Sequence, residues 1–193
     1  MNDKHFYLML IDTPSSGPHV EVIKGPDIMV NDGVSIDDVT EEYEMMLSVD
    51  RKVKNIAECS PCDIYGPSRS LIFSKRFIEL LATLKINNIQ YLNTDVTFSA
   101  TTEKVDYKVA NVVGIVSGLD LEKSTVVYSR QGNIVEIENM IFDENKLSGH
   151  KIFRLKESIM HIVVHKSIKE AIENAGLTGF MFLTDDEYEP GML

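Results

Sequence analysis

The sequence predicts an α+β fold, within the broad α/β class, from three observations: a strand–helix–strand pattern that occurs twice, a β-rich stretch between the two copies, and a β-rich N-terminal part. Residues 71–93 (LIFSKRFIELLATLKINNIQYLN) and 162–184 (IVVHKSIKEAIENAGLTGFMFLT) align without a gap at an offset of 91. In the later copy the β-branched run Ile162, Val163 and Val164 precedes Ile168, Ala171, Ile172 and Ala175 at helical spacing, and Gly176 then stands where a glycine ends a helix. In the earlier copy Phe77, Leu80, Leu81 and Leu84 occupy the same helix face, while Ile89 and Tyr91 match Phe180 and Phe182 as alternate residues of an exit strand. Each copy has one apolar helix face to bury. Two repeated β-α-β units are therefore expected, packed on a shared sheet or on each other.

Between the copies, Tyr107, Val109, Asn111, Val113 and Ile115 alternate with their neighbours, Thr125–Tyr128 and residues 134–142 are β-rich, and Gly118 and Gln131-Gly132-Asn133 supply turns. A mostly antiparallel section is expected there. Upstream, residues 6–11 and 20–23 read as a strand pair joined by the turn-rich residues 13–18. Residues 35–47 read as an amphipathic helix: Ile36, Val39, Tyr43, Met46 and Leu47 form one stripe, Asp37, Asp38, Glu41 and Glu44 the opposite face, and Ser35 with Asp38 resembles a capping box. Pro61 and Gly66-Pro67 mark a loop into the first copy. The expected division is thus 1–67, a β-rich annex with one helix, and 68–193, the domain that contains both copies.

The chain has 193 residues, 44% of them hydrophobic, enough for a proper core. Its formal net charge of −11 repels nucleic-acid phosphates and anionic membrane surfaces and attracts a basic protein. The apolar run at residues 6–11 is too short for a signal peptide or an anchor, and nothing else approaches the roughly 20 apolar residues that cross a bilayer. A cytoplasmic protein is expected.

Cys59-Ser60-Pro61-Cys62 is the one match to a catalytic or metal motif. Thioredoxin-like exchange needs a thiolate at a helix N-terminus, whereas Asp63-Ile64-Tyr65-Gly66-Pro67 reads as loop and places a carboxylate beside the second thiol, raising its pKa. A zinc site needs two further ligands, from His5, His19, His150, His161, His165 or a carboxylate. His161 and His165 are separated by a strand and are not expected to converge. Phosphate-loop, nucleophile-elbow and dinucleotide fingerprints do not occur. No catalytic residue, cofactor or metal is assigned, and the alternatives to a binding protein are a thiol-redox or small-molecule enzyme using Cys59 and Cys62, or a non-inhibitory adaptor subunit.

Tyr107-Lys108-Val109-Ala110-Asn111-Val112-Val113, then Leu119-Asp120-Leu121-Glu122-Lys123-Ser124, then Ile152-Phe153-Arg154-Leu155, and the closing stretch of residues 168–179 with Phe182 carry a resemblance. Over residues 68 to 184 the chain resembles the immunity proteins of bacterial polymorphic toxin systems grouped around a myxobacterial prototype. The resemblance implies a protein that binds and blocks a cognate toxin, and it brings no catalytic residues. Asp120, Ser124, Asn111 and Arg154 read as scaffold, with Arg154 expected to pair with a carboxylate. The partner-binding surface is expected where exposed acids are interleaved with aromatics. Two segments fit: Asp37, Asp38, Glu41 and Glu44 around Tyr43, and the tail Asp185, Asp186, Glu187, Tyr188 and Glu189.

Overall fold

The computed structural model describes residues 4–15, 17–28, 30–49, 59–66 and 70–192. The chain runs through β1 (Phe6–Ile11), β2 (His19–Lys24), β3 (Tyr43–Ser48), β4 (Ile64–Tyr65), β5 (Leu71–Ser74), α1 (Lys75–Thr83), β6 (Ile89–Leu92), β7 (Thr94–Phe98), β8 (Glu103–Val105) and β9 (Tyr107–Val112). It continues through β10 (Ile115–Val116), β11 (Thr125–Tyr128), β12 (Ile134–Asn139), α2 (Glu144–Leu147), β13 (Ile152–Leu155), β14 (Ser158–His165), α3 (Lys166–Asn174) and β15 (Phe180–Leu183). The fold is β-rich with few helices, an α+β arrangement.

The longer helices start and stop by the same local chemistry. The Ser74 hydroxyl accepts from the Phe77 N–H at 3.2 Å, and His165 Nδ1 accepts from the Ser167 N–H at 3.1 Å, so each caps an otherwise orphan amide. At the other end Lys85 (φ 56°) and Gly176 (φ 60°) take the left-handed conformation. The next amide then reaches back into the last turn, Ile86 to Leu81 and Leu177 to Ile172.

Both units are split. Strand β9 lies antiparallel between β5 and β6 in the sheet β4-β5-β9-β6, and β1 lies antiparallel between β14 and β15 in the sheet β10-β13-β14-β1-β15. Ile72 stands opposite Val109 as Val163 stands opposite Leu8, and Tyr91 opposite Ala110 as Phe182 opposite Met9. The flanking strands follow suit, with Ile64 opposite Phe73 and Ile152 opposite Val164. One face of each sheet and both helices close on a shared core that includes Phe73, Phe77 and Leu81 from one unit and Val164, Ile168 and Ile172 from the other. The outer face of the first sheet, with Ile72 and Val109, packs against the sheet β2-β3-β7-β8. That of the second, with Leu8 and Val163, packs under the hairpin of β11 and β12.

Three local expectations are corrected. Strands β1 and β2 do not pair: β1 is buried on both faces, as a central strand must be, whereas β2 is mostly exposed and pairs with β3 at a sheet edge. Residues 35–47 form no helix. Residues 35–42 have no regular structure, Asp38 sits at φ 58°, and the apolar residues that follow obey a period of two, with Tyr43, Met45 and Leu47 inward on β3. Strand β9 shows no simple alternation either, because Val109 to Val112 are buried on both faces of its sheet. The division expected at residue 67 is crossed by three strands: β1 within the last sheet, β3, which pairs in parallel with β7, and β4, which pairs with β5.

A fragment of residues 68–193 lacks the strand that fills the gap between β14 and β15 and is expected not to fold by itself, which circular dichroism melting checks; a cooperative transition in the fragment contradicts it. In the full chain Phe77→Ala, which empties the shared core, should cost about 3–5 kcal/mol in denaturant unfolding.

Candidate functional site

The acids of residues 37–44 lie on a length of chain pinned just ahead of them. The Gln90 side chain accepts from the Ile36 N–H at 2.9 Å and donates to the Ile36 carbonyl at 2.5 Å, so one amide replaces a ladder step. Asn111 Nδ2 donates to the Val34 carbonyl at 2.7 Å, and the Gly114 N–H to that of Gly33 at 2.8 Å. Beyond these anchors Asp37, Asp38 and Glu41 are exposed, and Glu44 points outward from β3. Among the described residues none of the four is paired with a cation. Tyr43 points the other way. It is 5% exposed, burial raises its phenol, and its ring lies so close to Gly25 that an added Cβ there would sit 2.4 Å from a ring carbon. The expected aromatic anchor of this segment is a core residue.

The tail is partly structural too. Asp185 opens a 3-10 turn (Asp185–Glu187), is 4% exposed, accepts from the Phe142 N–H at 2.9 Å and pairs with Lys4. Asp186 also meets Lys4, at 3.1 Å, and that contact holds its carboxyl below the usual range. Glu187 folds back to accept from the Thr184 N–H and hydroxyl, both at 2.8 Å, which lowers its pKa likewise. Tyr188 is half-buried, edge-on to His161 with ring centres 5.5 Å apart. Asp186, Glu187 and Glu189 remain exposed.

Cys59 and Cys62 are both buried. Burial pushes the Cys62 thiol up and Asp63 adds to the effect, the direction opposite to that of a reactive thiolate. Among the described residues no three His, Cys, Asp or Glu side chains converge as a metal would require. His161 is buried between the Ser158 hydroxyl at 2.7 Å and the Met192 carbonyl at 2.9 Å, and His165 serves as the α3 cap. Burial lowers the pKa of both.

Two buried charges carry more than the sequence reading gave them. Asp63, 3% exposed, accepts from the Ser74 hydroxyl at 2.6 Å, the Thr178 N–H at 3.0 Å and Arg76 at 3.4 Å, so its carboxylate ties the entry of one unit to the turn of the other. Only its place beside Cys62 was legible in the sequence. Arg154, 1% exposed, was expected to pair with a carboxylate. It donates instead to the Ile159 carbonyl at 3.0 Å and to Asn31 Oδ1 at 3.2 Å, and its buried Nε has no acceptor among the described residues. Burial lowers it to about 10, against the pull of Asp32, so it stays a cation at neutral pH. It lies beside an open pocket of about 440 Å³ whose lining includes Met9, Ile11, Ile64, Leu71 and Ile162 from the two core sheets and His19 and Val20 from β2.

The model of the Immunity protein family (Imm11) matches residues 17–185. The match thus begins ahead of β2 and takes in the pinned acidic segment, not only the residues from 68 onward that carry the resemblance. No curated protein matches the chain.

Asp63→Ala should cost about 2–3 kcal/mol, since it strands the Ser74 hydroxyl and the Thr178 amide, and denaturant unfolding measures it. The histidines set a pH dependence. With a folded pKa below the ordinary value, His161 takes up its proton more readily in the unfolded chain, so stability is full above about pH 6.5 and is lost as pH falls below it. His161→Gln should flatten that fall in melting temperature between about pH 7 and 5.

Proposed function

We propose that this chain, which belongs to the Immunity protein family (Imm11), binds a cognate bacterial toxin and neutralises it through that contact, without catalysis. The observation that carries the proposal is the run of exposed acids Asp37, Asp38, Glu41 and Glu44, unpaired among the described residues and held in place by Gln90 and Asn111. Unpaired carboxylates keep their full field for a basic partner, whereas those of the tail are partly spent on Lys4 and Thr184. The pinned segment is accordingly the first contact surface and the tail acids Asp186, Glu187 and Glu189 the second. With Tyr43 and Asp185 buried, neither supplies a contact.

The net charge of −11 favours a basic toxin and disfavours nucleic acid or an anionic membrane as partner. Among the described residues no helix is long and apolar enough to cross a membrane. A cytoplasmic location, where the toxin would meet its target in a producing or recipient cell, goes with this reading. The matching bounds and registers of the two split units support an origin by internal duplication. A thiol enzyme draws no support from cysteines that are buried, one with its thiol pushed up.

Co-expression with the toxin should restore growth, and binding without protection would instead identify an adaptor. In stopped-flow mixing at low salt, the combined change of Asp37, Asp38, Glu41 and Glu44 to their amides should slow association by roughly 10-fold and flatten its salt dependence. The same change at Asp186, Glu187 and Glu189 should have the smaller effect.

A further inference from the structure

We propose that the pocket between the end of α1 and the turn into β13 binds a phosphate group carried on a small organic body, with Lys85 and Lys151 as the cations that hold the phosphate. The pocket has a volume of about 410 Å³, room for a phosphate monoester of modest size. Lys85, Asn87, His150 and Lys151, all exposed, line its polar side, and Ile115 and Val116 of β10 line its apolar side. Ile115 is 44% exposed, an apolar wall that the core leaves uncovered. No Asp or Glu is among the described lining residues, in a chain whose net charge is −11. The floor is tied together by Asn88, whose Nδ2 donates to the Val113 carbonyl at 2.7 Å and to the Ile152 carbonyl at 2.9 Å.

The placement of Lys85 carries the inference. It stands where the other unit, 91 residues on, has Gly176, and like that glycine it takes the left-handed conformation, at φ 56°. Glycine adopts this conformation freely and a lysine is strained in it, so the need to end α1 does not account for the side chain. Strain kept where glycine would serve points to a use for the ammonium group. Lys151 brings a second ammonium to the same corner, since its Nζ donates to the Leu84 carbonyl, one residue before Lys85, at 3.4 Å. That single long bond leaves further N–H donors of Lys151 open. Among the described residues neither lysine is paired with a carboxylate, whereas Lys75, Lys104 and Lys146, also exposed, each meet one. Two ammonium groups suit a phosphate monoester, with about −1.5 to −2 of charge on three oxygens at neutral pH, better than a carboxylate with one charge. At physiological salt the field of the surrounding acids is screened within about 8 Å, so it opposes a nucleic-acid strand without cancelling contact with one phosphate.

The test titrates the full chain with phenyl phosphate by calorimetry and thermal unfolding at constant ionic strength, with inorganic phosphate, phenol and acetate as comparisons. Phenyl phosphate should bind one to one and raise the melting temperature. Inorganic phosphate should bind more weakly for want of the ring, and phenol and acetate at least ~10-fold more weakly for want of the dianion. Lys85→Gly separates function from folding. It relieves the backbone, so the melting temperature of the unliganded chain should stay or rise, while the affinity for phenyl phosphate should fall at least ~10-fold. Lys151→Gln should weaken binding in the same direction, and Lys24→Gln, at an exposed lysine of β2 outside the pocket, should leave it unchanged. Absence of phenyl phosphate binding by the wild type, equal affinity for inorganic phosphate, an unchanged affinity in Lys85→Gly, or an equal loss in Lys24→Gln overturns the proposal and leaves Lys151 as a cap on the Leu84 carbonyl.

Discussion

Everything in this molecule depends on filling two gaps. In each helix-bearing unit the strands that flank the helix run parallel with one strand's width between them, and an antiparallel strand from elsewhere in the chain must enter. Strand β9 does this for the unit that precedes it, and β1 does it for a unit that begins some 150 residues later. Without the inserted strand, β14 and β15 would lose ladder bonds on both sides of the gap, and the shared core would lose Met9. The N- and C-terminal parts are thus obliged to fold together, and the long loops this closes point to slow, cooperative folding.

The buried polar groups sit where those distant pieces meet. Asp63 joins the entry of the first unit to the turn of the second, Asn111 in the inserted strand holds the Val34 carbonyl, and Arg154 reaches from β13 to Asn31. Each such bond contributes only about 1 kcal/mol net, or somewhat more with a charge, but the penalty for leaving a buried group unpaired is larger. Their effect is to make one arrangement of the pieces acceptable and slipped ones costly. The outer sheet and the hairpin cover the two outer faces, and the outer sheet is pinned to β9 by the buried Thr94 hydroxyl, which accepts from the Val109 N–H at 2.9 Å.

The surface charge falls into two populations that composition cannot separate. Some acids are consumed by the fold, as Asp63, Asp185 and the capping Glu187 are, and these contribute to structure. Others, on the strip ahead of and along β3, are exposed and have no cationic partner among the described residues. The sequence reading counted Asp185 with the second population and Tyr43 as an anchor, and packing places both inside.

By itself the sequence determined the elements whose signals are local. The helices of the two units, the stop at Gly176 and the exit strands follow from apolar spacing and backbone chemistry within about ten residues, and part of the family resemblance rests on the same stretches. Residues 35–47 were misread because an apolar stripe satisfied the helical period while the strand period was equally present in Tyr43, Met45 and Leu47. The choice between the two was made by the ladders to β2 and β7, which no local window contains. Tertiary structure alone decided that β1 crosses the chain to pair with β14 and β15, that Asp63 is a cross-link, and that Arg154 meets the Ile159 carbonyl and Asn31 rather than a carboxylate. Each of these depends on which distant residues share a surface once the core has closed, and a sequence pattern fixes a residue's own face without naming the face it will meet.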